Sequence, residues 1–464
     1  MPVEIKERLA EAITRELGEN VYLCYQCVKC TSGCPLADEF DLTPNQVLRA
    51  LQLGEDERVL NSKTIWLCAS CHTCVTRCPH TIDLPRINDF LAMEAKRRGI
   101  QSKVPDVALF RQVFLRYARW FGRAYEPGLI AEMNLRTRQP FKDMDMGVQM
   151  ILKRKIKLLP AFVRPPRSVR PVPQKANTIA YYPGCSLHSL SSELDHSTRA
   201  VFKKVGVELH EPNGWICCGS SPAHSTDHFL ATTMPMSTLA LVEQSGFREV
   251  LAPCASCYSR LKAAQHDVAH DPELKKRVDA HIGYAYQDRV AVKSLLDVLE
   301  ERVGLDTIAQ NVKKPLRDLK VVAYYGCLLT RPPRVTGAEH PENPMQMERI
   351  VEKLGARPLD WSFKTDCCGG SLSLTRTEIV LNLTRRILDN ARAVGADLVV
   401  TVCPLCHVNL DARQAALKLD QPIPILYITQ LMGLAFGLEP HALALEKNMV
   451  DTRPLVQRLN SMSQ

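Results

Sequence analysis

Long apolar runs are missing from this 464-residue chain. No stretch reaches the roughly 18–20 uninterrupted apolar residues that span a bilayer. The nearest, Ile423 to Leu438, carries Gln430, is bounded by prolines and reads as a buried core helix. The N-terminus, Met1-Pro2-Val3-Glu4-Ile5-Lys6-Glu7, alternates charge and lacks the apolar stretch of a secretory signal. These absences lead to the expectation of a cytoplasmic protein, membrane-associated only through a partner. Recognisable nucleic-acid modules are also missing, so the formal net charge of +9 does not by itself point to nucleic acid. Metal-bound thiolates would in any case add negative charge that the formal sum omits. The 45% hydrophobic and 23% charged content is that of a soluble globular chain long enough for two or three domains.

Cysteine is abundant, with eighteen in all. In a reducing compartment a high cysteine density means metal binding rather than disulfides. Eight cysteines form two runs, Cys24-x2-Cys27-x2-Cys30-x3-Cys34-Pro35 and Cys68-x2-Cys71-x2-Cys74-x3-Cys78-Pro79. Each matches the bacterial ferredoxin run, in which three close thiolates hold three irons and the fourth crosses to the other cluster. The expected assignment is one cubane [4Fe–4S] on Cys24, Cys27, Cys30 and Cys78, and another on Cys68, Cys71, Cys74 and Cys34. Zinc also takes four thiolates, but zinc ribbons use separated Cys-x-x-Cys pairs. His72 and His80 flank the second run as surface or supporting groups, each cluster being complete without them.

The other ten cysteines form two sets: Cys185, Cys217, Cys218, Cys254 and Cys257, then Cys327, Cys367, Cys368, Cys403 and Cys406. Five thiolates per set exceed the need of a cubane and suggest a larger or less symmetric cluster. Gly219 and Gly369, each following a cysteine pair, are expected to let backbone approach inorganic sulfide.

The chain repeats itself around these sets. Thr178 to Tyr182 leads into Gly184-Cys185, and Val321 to Tyr325 leads into Gly326-Cys327. Each is a β-branched and aromatic run that reads as a strand delivering a cysteine at its end. Second strands, Glu249 to Ala252 and Leu398 to Val402, each lead to a Cys-x-x-Cys. Strands alternating with helices imply two α/β lobes with ligands at the carboxyl edge of each sheet. The segment before them reads as helical. Helices are expected over Glu4–Leu17, closed by Gly18, from Thr43-Pro44 to about Leu53, and over Leu84–Arg98, stopped by Gly99.

The resulting fold class is multidomain: an N-terminal all-α ferredoxin-like domain followed by two duplicated α/β lobes. The expected boundaries are 1–160 for the ferredoxin domain, 161–176 for a linker, 177–310 for the first lobe and 311–464 for the second. The linker is marked by Pro160, Pro165, Pro166, Pro171 and Pro173 among Arg164, Arg167 and Arg170. A basic, aromatic stretch from about 105 to 160 (Phe110, Phe114, Tyr117, Trp120, Phe121, Tyr125) reads as core or as a docking surface for another protein of a complex.

The segments Tyr182 to Ser186, Cys217 to His224, Tyr324 to Cys327, Cys367 to Gly370 and Cys403 to Cys406 resemble the B-type component of heterodisulfide reductase. The first 160 residues resemble the C-type component of the same enzyme, so the chain as a whole resembles the fused, D-type component. That resemblance implies a noncubane [4Fe–4S] cluster in each five-cysteine set, with a disulfide substrate bound between the two. It also implies electrons arriving through the two cubanes, commonly from a flavin-containing A-type component, within a hetero-oligomer. His188, His224, His228 and His407 are candidate proton donors. Arg331 and Arg334 are candidates for binding an anionic substrate. Two other readings stay open: an electron relay like the iron–sulfur subunits of glycolate oxidase and anaerobic glycerol-3-phosphate dehydrogenase, and an accessory component of a benzoyl-CoA reductase type.

Overall fold

The computed structural model describes residues 7–166, 168–173 and 175–461. The expected helix from Glu4 begins partly outside them. Its described part, Leu9–Leu17, ends where Gly18 turns left-handed and donates its N–H to Thr14 O. Pro44–Leu53 follows Thr43, whose N–H donates to the Gln46 side chain at 2.9 Å. Leu84–Arg97 starts with the Asp83 carboxylate accepting from Arg86 N at 3.1 Å. Among the described residues no strand precedes Thr178.

Helices from residues 9 to 107 build one core around Leu51, Ile65, Ile87 and Leu91. Leu372, Ile379, Val380 and Leu383 from the second lobe complete it, so the ferredoxin-like part and that lobe share apolar packing. The helices beyond it behave differently from a simple extension of a 1–160 unit. Val113, Phe114, Leu129 and Met133, from Pro105–Phe121 and Glu126–Arg136, pack on Cys217, Ala223 and Met234 of the first lobe.

The first sheet holds β1 (Thr178–Tyr181), β2 (Glu208–His210), β3 (Glu249–Ala252) and β4 (Ala291–Ser294) in the order β2-β1-β3-β4, all parallel. The second holds β5 (Lys320–Tyr324), β6 (Arg357–Pro358), β7 (Leu398–Thr401) and β8 (Ile425–Tyr427) in the same order, β6-β5-β7-β8, again parallel. β7 is buried at every position, as a parallel strand covered on both faces must be. One continuous hydrophobic core runs through both sheets, from Ile179 to Leu459.

The stretch from Ile423 to Leu438 is not the single helix expected. Ile425–Tyr427 pairs with β7, and the helix occupies only Ile428–Ala435. Its uniform burial hides the change of period, because a buried parallel strand and a buried helix are both apolar throughout. The proline-rich stretch after Pro160 runs mostly exposed and without helix or strand; Arg167, expected as part of it, lies outside the described residues. It is pinned where Val163 N donates to Phe121 O at 2.9 Å and Val172 N to Ser245 O at 3.1 Å.

Candidate iron–sulfur sites

Each lobe brings its five cysteines to the carboxyl edge of its sheet. Cys185 follows β1 and Cys254 follows β3, the two strands between which the strand order reverses. That crevice is where open α/β sheets bind ligands. Cys254 precedes the helix Ala255–His270, and Cys257 lies in its first turn. Cys327 follows β5, Cys403 follows β7, and Cys406 lies in the first turn of Pro404–Ala412.

The thiols are in mutual contact. Cys218 Sγ lies 3.6 Å from Cys257 Sγ, and Cys368 Sγ lies 3.6 Å from Cys406 Sγ. Cys217 is perturbed by neighbouring Cys185 and Cys218, and Cys257 by Cys218 and Cys254. The second set repeats the pattern with Cys327–Cys367 and Cys406–Cys403. Hydrogen bonding to neighbouring thiols, and then burial, push Cys217, Cys257 and Cys406 well above the usual thiol range. Cys218 and Cys368 are lowered instead, chiefly by their thiol neighbours, Cys217 and Cys257 for the first and Cys406 for the second.

Backbone and side-chain donors face the sulfurs. Gly219 N is 3.4 Å from Cys217 Sγ, and Gly369 N is 3.3 Å from Cys367 Sγ. Ala124 N reaches Cys185 Sγ at 3.4 Å, and Asn409 Nδ2 reaches Cys368 Sγ at 3.5 Å. Close approach falls at other glycines than expected. A Cβ on Gly184 would stand 2.6 Å from Cys257 Sγ, and one on Gly326 would stand 2.8 Å from Cys406 Sγ. At Gly219 and Gly369 that direction is filled by Ala223 and by Val380 and Leu383.

The two ferredoxin runs interleave. Cys78 and Cys27 both raise Cys24 by charge, after burial has done so. Cys34, pushed up by burial and then by Cys71, sits with Cys68 and Cys71. Burial raises Cys68 to about 12 and Cys74 further. Cys27 is exposed at the surface, whereas Cys71 is buried and close enough to Cys367 of the second lobe for the two thiols to shift each other's ionisation. The inner ferredoxin run therefore touches the second five-cysteine set.

Such donor sets fit iron–sulfur clusters. Thiols packed in contact and buried cannot ionise together unless a cationic centre neutralises them, and amide donors then complement the residual negative charge.

The candidate proton donors divide. His407 is fully buried, stacked on Tyr427 at 4.2 Å, and bonded through Nε2 to Ile425 O at 3.1 Å. Burial, then the Lys155 charge, hold it well below the usual imidazole range. His188 Nε2 lies 3.0 Å from Glu211 Oε1. Although burial works the other way, hydrogen bonds from His188 and Trp215 bring Glu211 down to about 2. His224 Nδ1 pairs with Asp89 at 2.6 Å, while His228 is exposed, 3.9 Å from Asp267. Of the flanking histidines, His72 is buried, and desolvation lowers it to about 4. His80 is exposed and packs edge-on against Tyr25.

Arg331 is not available to a substrate, whereas Arg334 is exposed but held by a carboxylate. Arg331, 1% exposed, donates to Thr73 Oγ1 at 2.8 Å, Thr365 O at 2.9 Å and Thr365 Oγ1 at 2.8 Å. Arg334 pairs with Asp83. Both tie the second ferredoxin run to the second lobe. Sequence reasoning missed Asn409, Arg123 and Asp89. Asn409 stands one turn after Cys406, a spacing that puts both on one helix face. Arg123 stacks 3.4 Å over Trp215 beside Cys217, a long-range contact without a sequence signal.

A cavity of about 180 Å³ adjoins the first set. The first-lobe cysteines form one wall, and Gly370, Leu405 and Asn409 of the second lobe form the other. Phe110, Phe114, Leu129 and Met150 make it largely apolar. Glu126, half-buried there, is raised by desolvation to about 7.

Comparison with known proteins agrees with this arrangement. Residues 179–262 and 321–411 match the cysteine-rich CCG domain, and 23–83 match the 4Fe-4S dicluster domain. The chain is 34% identical over 283 residues to the membrane anchor of the 8-methylmenaquinol:fumarate reductase of Wolinella succinogenes, covering 60% of this chain and 98% of that one. It is 28% identical over 296 residues to the B-type component of the ferredoxin/F(420)H(2)-dependent CoB-CoM heterodisulfide reductase of Methanosarcina acetivorans, covering 61% and 98%. It is 31% identical over 121 residues to an iron–sulfur C-type component of the CoB–CoM heterodisulfide reductase of Methanocaldococcus jannaschii, covering 26% and 61%. A crystal structure of a hypothetical protein from Helicobacter pylori shares the fold, with a TM-score of 0.62 at 12% identity over 96% of this chain and 76% of that one. The chain belongs to the CCG-domain iron–sulfur proteins related to the B-type and C-type components of heterodisulfide reductase, as an electron-transfer subunit of an oxidoreductase complex.

Proposed function

We propose that this chain passes electrons from a donor protein, inward through its ferredoxin runs, to a disulfide that it reduces, or in the reverse direction takes them from two thiols. The observation that carries this reading is the nearness of the buried Cys71 and Cys367 thiols, each of which shifts the other's ionisation, so that the inner ferredoxin run adjoins a five-cysteine set. Cys24, Cys27, Cys30 and Cys78 would hold one cubane [4Fe–4S], and Cys68, Cys71, Cys74 and Cys34 the other. Cys185, Cys217, Cys218, Cys254 and Cys257 would hold one noncubane [4Fe–4S], and Cys327, Cys367, Cys368, Cys403 and Cys406 the second. When bound, these clusters would supply one-electron transfer and iron that can take a substrate thiolate.

The remaining steps belong to the chain's own groups. Reducing one S–S bond takes two electrons and two protons and yields two thiols. The cavity lies between the first five-cysteine set and second-lobe residues that neighbour the second set, Gly370 and Leu405 among them, and suits a substrate approached from both lobes. Its apolar walls exclude water around the reacting sulfurs, and Glu126 can hold or release a proton there near neutrality. The exposed side chains Tyr22, Leu23, Tyr25 and Val28 surround Cys27, a face on which a flavin-containing donor like the A-type component would dock. The working division remains 1–160, 161–176, 177–310 and 311–464.

The apolar cavity favours a second reading, an electron-transfer protein without disulfide chemistry, as the name of the Wolinella relative suggests. Anaerobic iron counting with EPR, with and without thiol, separates the two. About sixteen irons and a paramagnetic species that appears on oxidation with thiol support disulfide chemistry. Iron near eight per chain overturns the noncubane assignment, and full iron without a thiol-dependent species leaves the relay reading.

A further inference from the structure

Among the described residues, ten of the sixteen exposed large apolar side chains lie between Trp120 and Phe162. Six of them are extreme: Leu135 at 73%, Phe141 at 75%, Leu152 at 77%, Leu158 at 65%, Leu159 at 83% and Phe162 at 78% exposed. Single exposed apolar residues need no explanation, but a concentration of this kind marks a surface made to be covered.

The helix Met144–Leu152 shows how the surface is built. Met146 and Met150 face the cavity, while Met144, Val148, Ile151 and Leu152, a stripe at helical spacing, face solvent. The segment after it folds back, with Tyr125 Oη donating to Leu158 O at 2.6 Å and Phe162 packing edge-on against Phe121 at 5.0 Å. These contacts bring Leu158, Phe162 and Trp120 to one region.

The charge around the patch is predominantly positive. Residues 119–164 carry ten Lys or Arg against four Asp or Glu, a surplus of six in a chain whose net charge is +9. Arg119, Arg138, Arg154, Lys157 and Arg164 are exposed and form no ion pair with a described residue. Aromatic and aliphatic side chains fringed by cations are the composition of a surface that lies in a lipid headgroup layer.

We propose that the face formed by residues 119–164 docks on the surface of an anionic lipid bilayer, with Leu152, Leu158, Leu159 and Phe162 entering the acyl boundary and the surrounding cations meeting the headgroups. The contact is peripheral, since no helix among the described residues is long and apolar enough to cross a membrane. It is independent of whether the substrate is a disulfide.

The test is cosedimentation of the anaerobically purified full chain with phosphatidylcholine vesicles, with and without phosphatidylglycerol. Wild type is expected in the pellet with the anionic vesicles and to leave it as salt rises. The double variant Leu152→Glu/Leu159→Glu is expected to lose at least about tenfold in partitioning. Arg154→Glu/Lys157→Glu is expected to weaken binding and to flatten its salt dependence. Iron content and thermal unfolding equal to wild type show that the variants are folded. Wild type left in the supernatant by both vesicle types overturns the proposal and assigns the patch to a protein partner. Leucine variants that partition like wild type overturn it equally.

Discussion

Gly184 and Gly326 hold the backbone against a cysteine sulfur, and replacing Gly184 with alanine tests how tightly. Gly184 has φ +72°, where an L side chain costs about 1–2 kcal/mol. Its new Cβ would stand 2.6 Å from Cys257 Sγ, about 1 Å inside ordinary contact. Cys257 cannot simply yield, because it lies in the first turn of a buried helix and is 3.6 Å from Cys218 Sγ. Relieving such overpacking costs about 1–3 kcal/mol, so the total is about 2–5 kcal/mol, concentrated on one site. Gly283→Ala is the control, with φ +69° and nothing within 4 Å of its Cβ, so it bears the backbone strain alone. The assay is iron per chain, EPR and thermal unfolding of both variants. On the proposed four-cluster reading, Gly184→Ala should lose about four of about sixteen irons while the cubane signals persist. It should also unfold at a lower temperature than Gly283→Ala. Full iron, an unchanged spectrum and unfolding like the control would refute the reasoning.

Other perturbations read other parts of the molecule. Lys155→Met leaves Glu193 buried without its partner and should cost about 3–5 kcal/mol by denaturant unfolding, whereas Lys155→Met/Glu193→Gln should recover most of it. Arg331→Met removes the hydrogen bonds that hold Thr73 and Thr365 together and should cost about 2–4 kcal/mol, with slower electron delivery to the second lobe in rapid-reduction experiments. Asn409→Leu removes a hydrogen bond of about 1 kcal/mol from Cys368 and should lower that site's potential by about 40 mV in a redox titration followed by EPR. Asp411, raised by desolvation to about 6 from 3.8, binds its proton more tightly folded than unfolded. Its contribution to stability is present below about pH 4 and is lost as pH rises through about 6, so the difference between wild type and Asp411→Asn should change across that interval.

Cysteine spacing made the sites legible because ligands crowd along the chain when they must surround one cluster. The helix starts at Pro44 and Leu84 were equally plain, since a capping side chain and a proline act locally. The stretch Ile425 to Ala435 was not, because full burial erases the difference between period 2 and period 3.6. Arg331 read as a candidate for binding an anionic substrate and proved to be a buried tie between Thr73 and Thr365, partners 258 and 34 residues away.

The sequence by itself determined the cysteine inventory, the α/β character of the lobes and the glycines that precede Cys185 and Cys327. These depend on residue type and short spacing, which chain order preserves. Only the tertiary structure decided that Cys71 meets Cys367, that Asn409 and Ala124 donate to cluster sulfurs, and that the helices after Pro105 roof the first lobe. Those contacts join residues far apart in sequence, and they form only when separate apolar faces find one another in the folded chain.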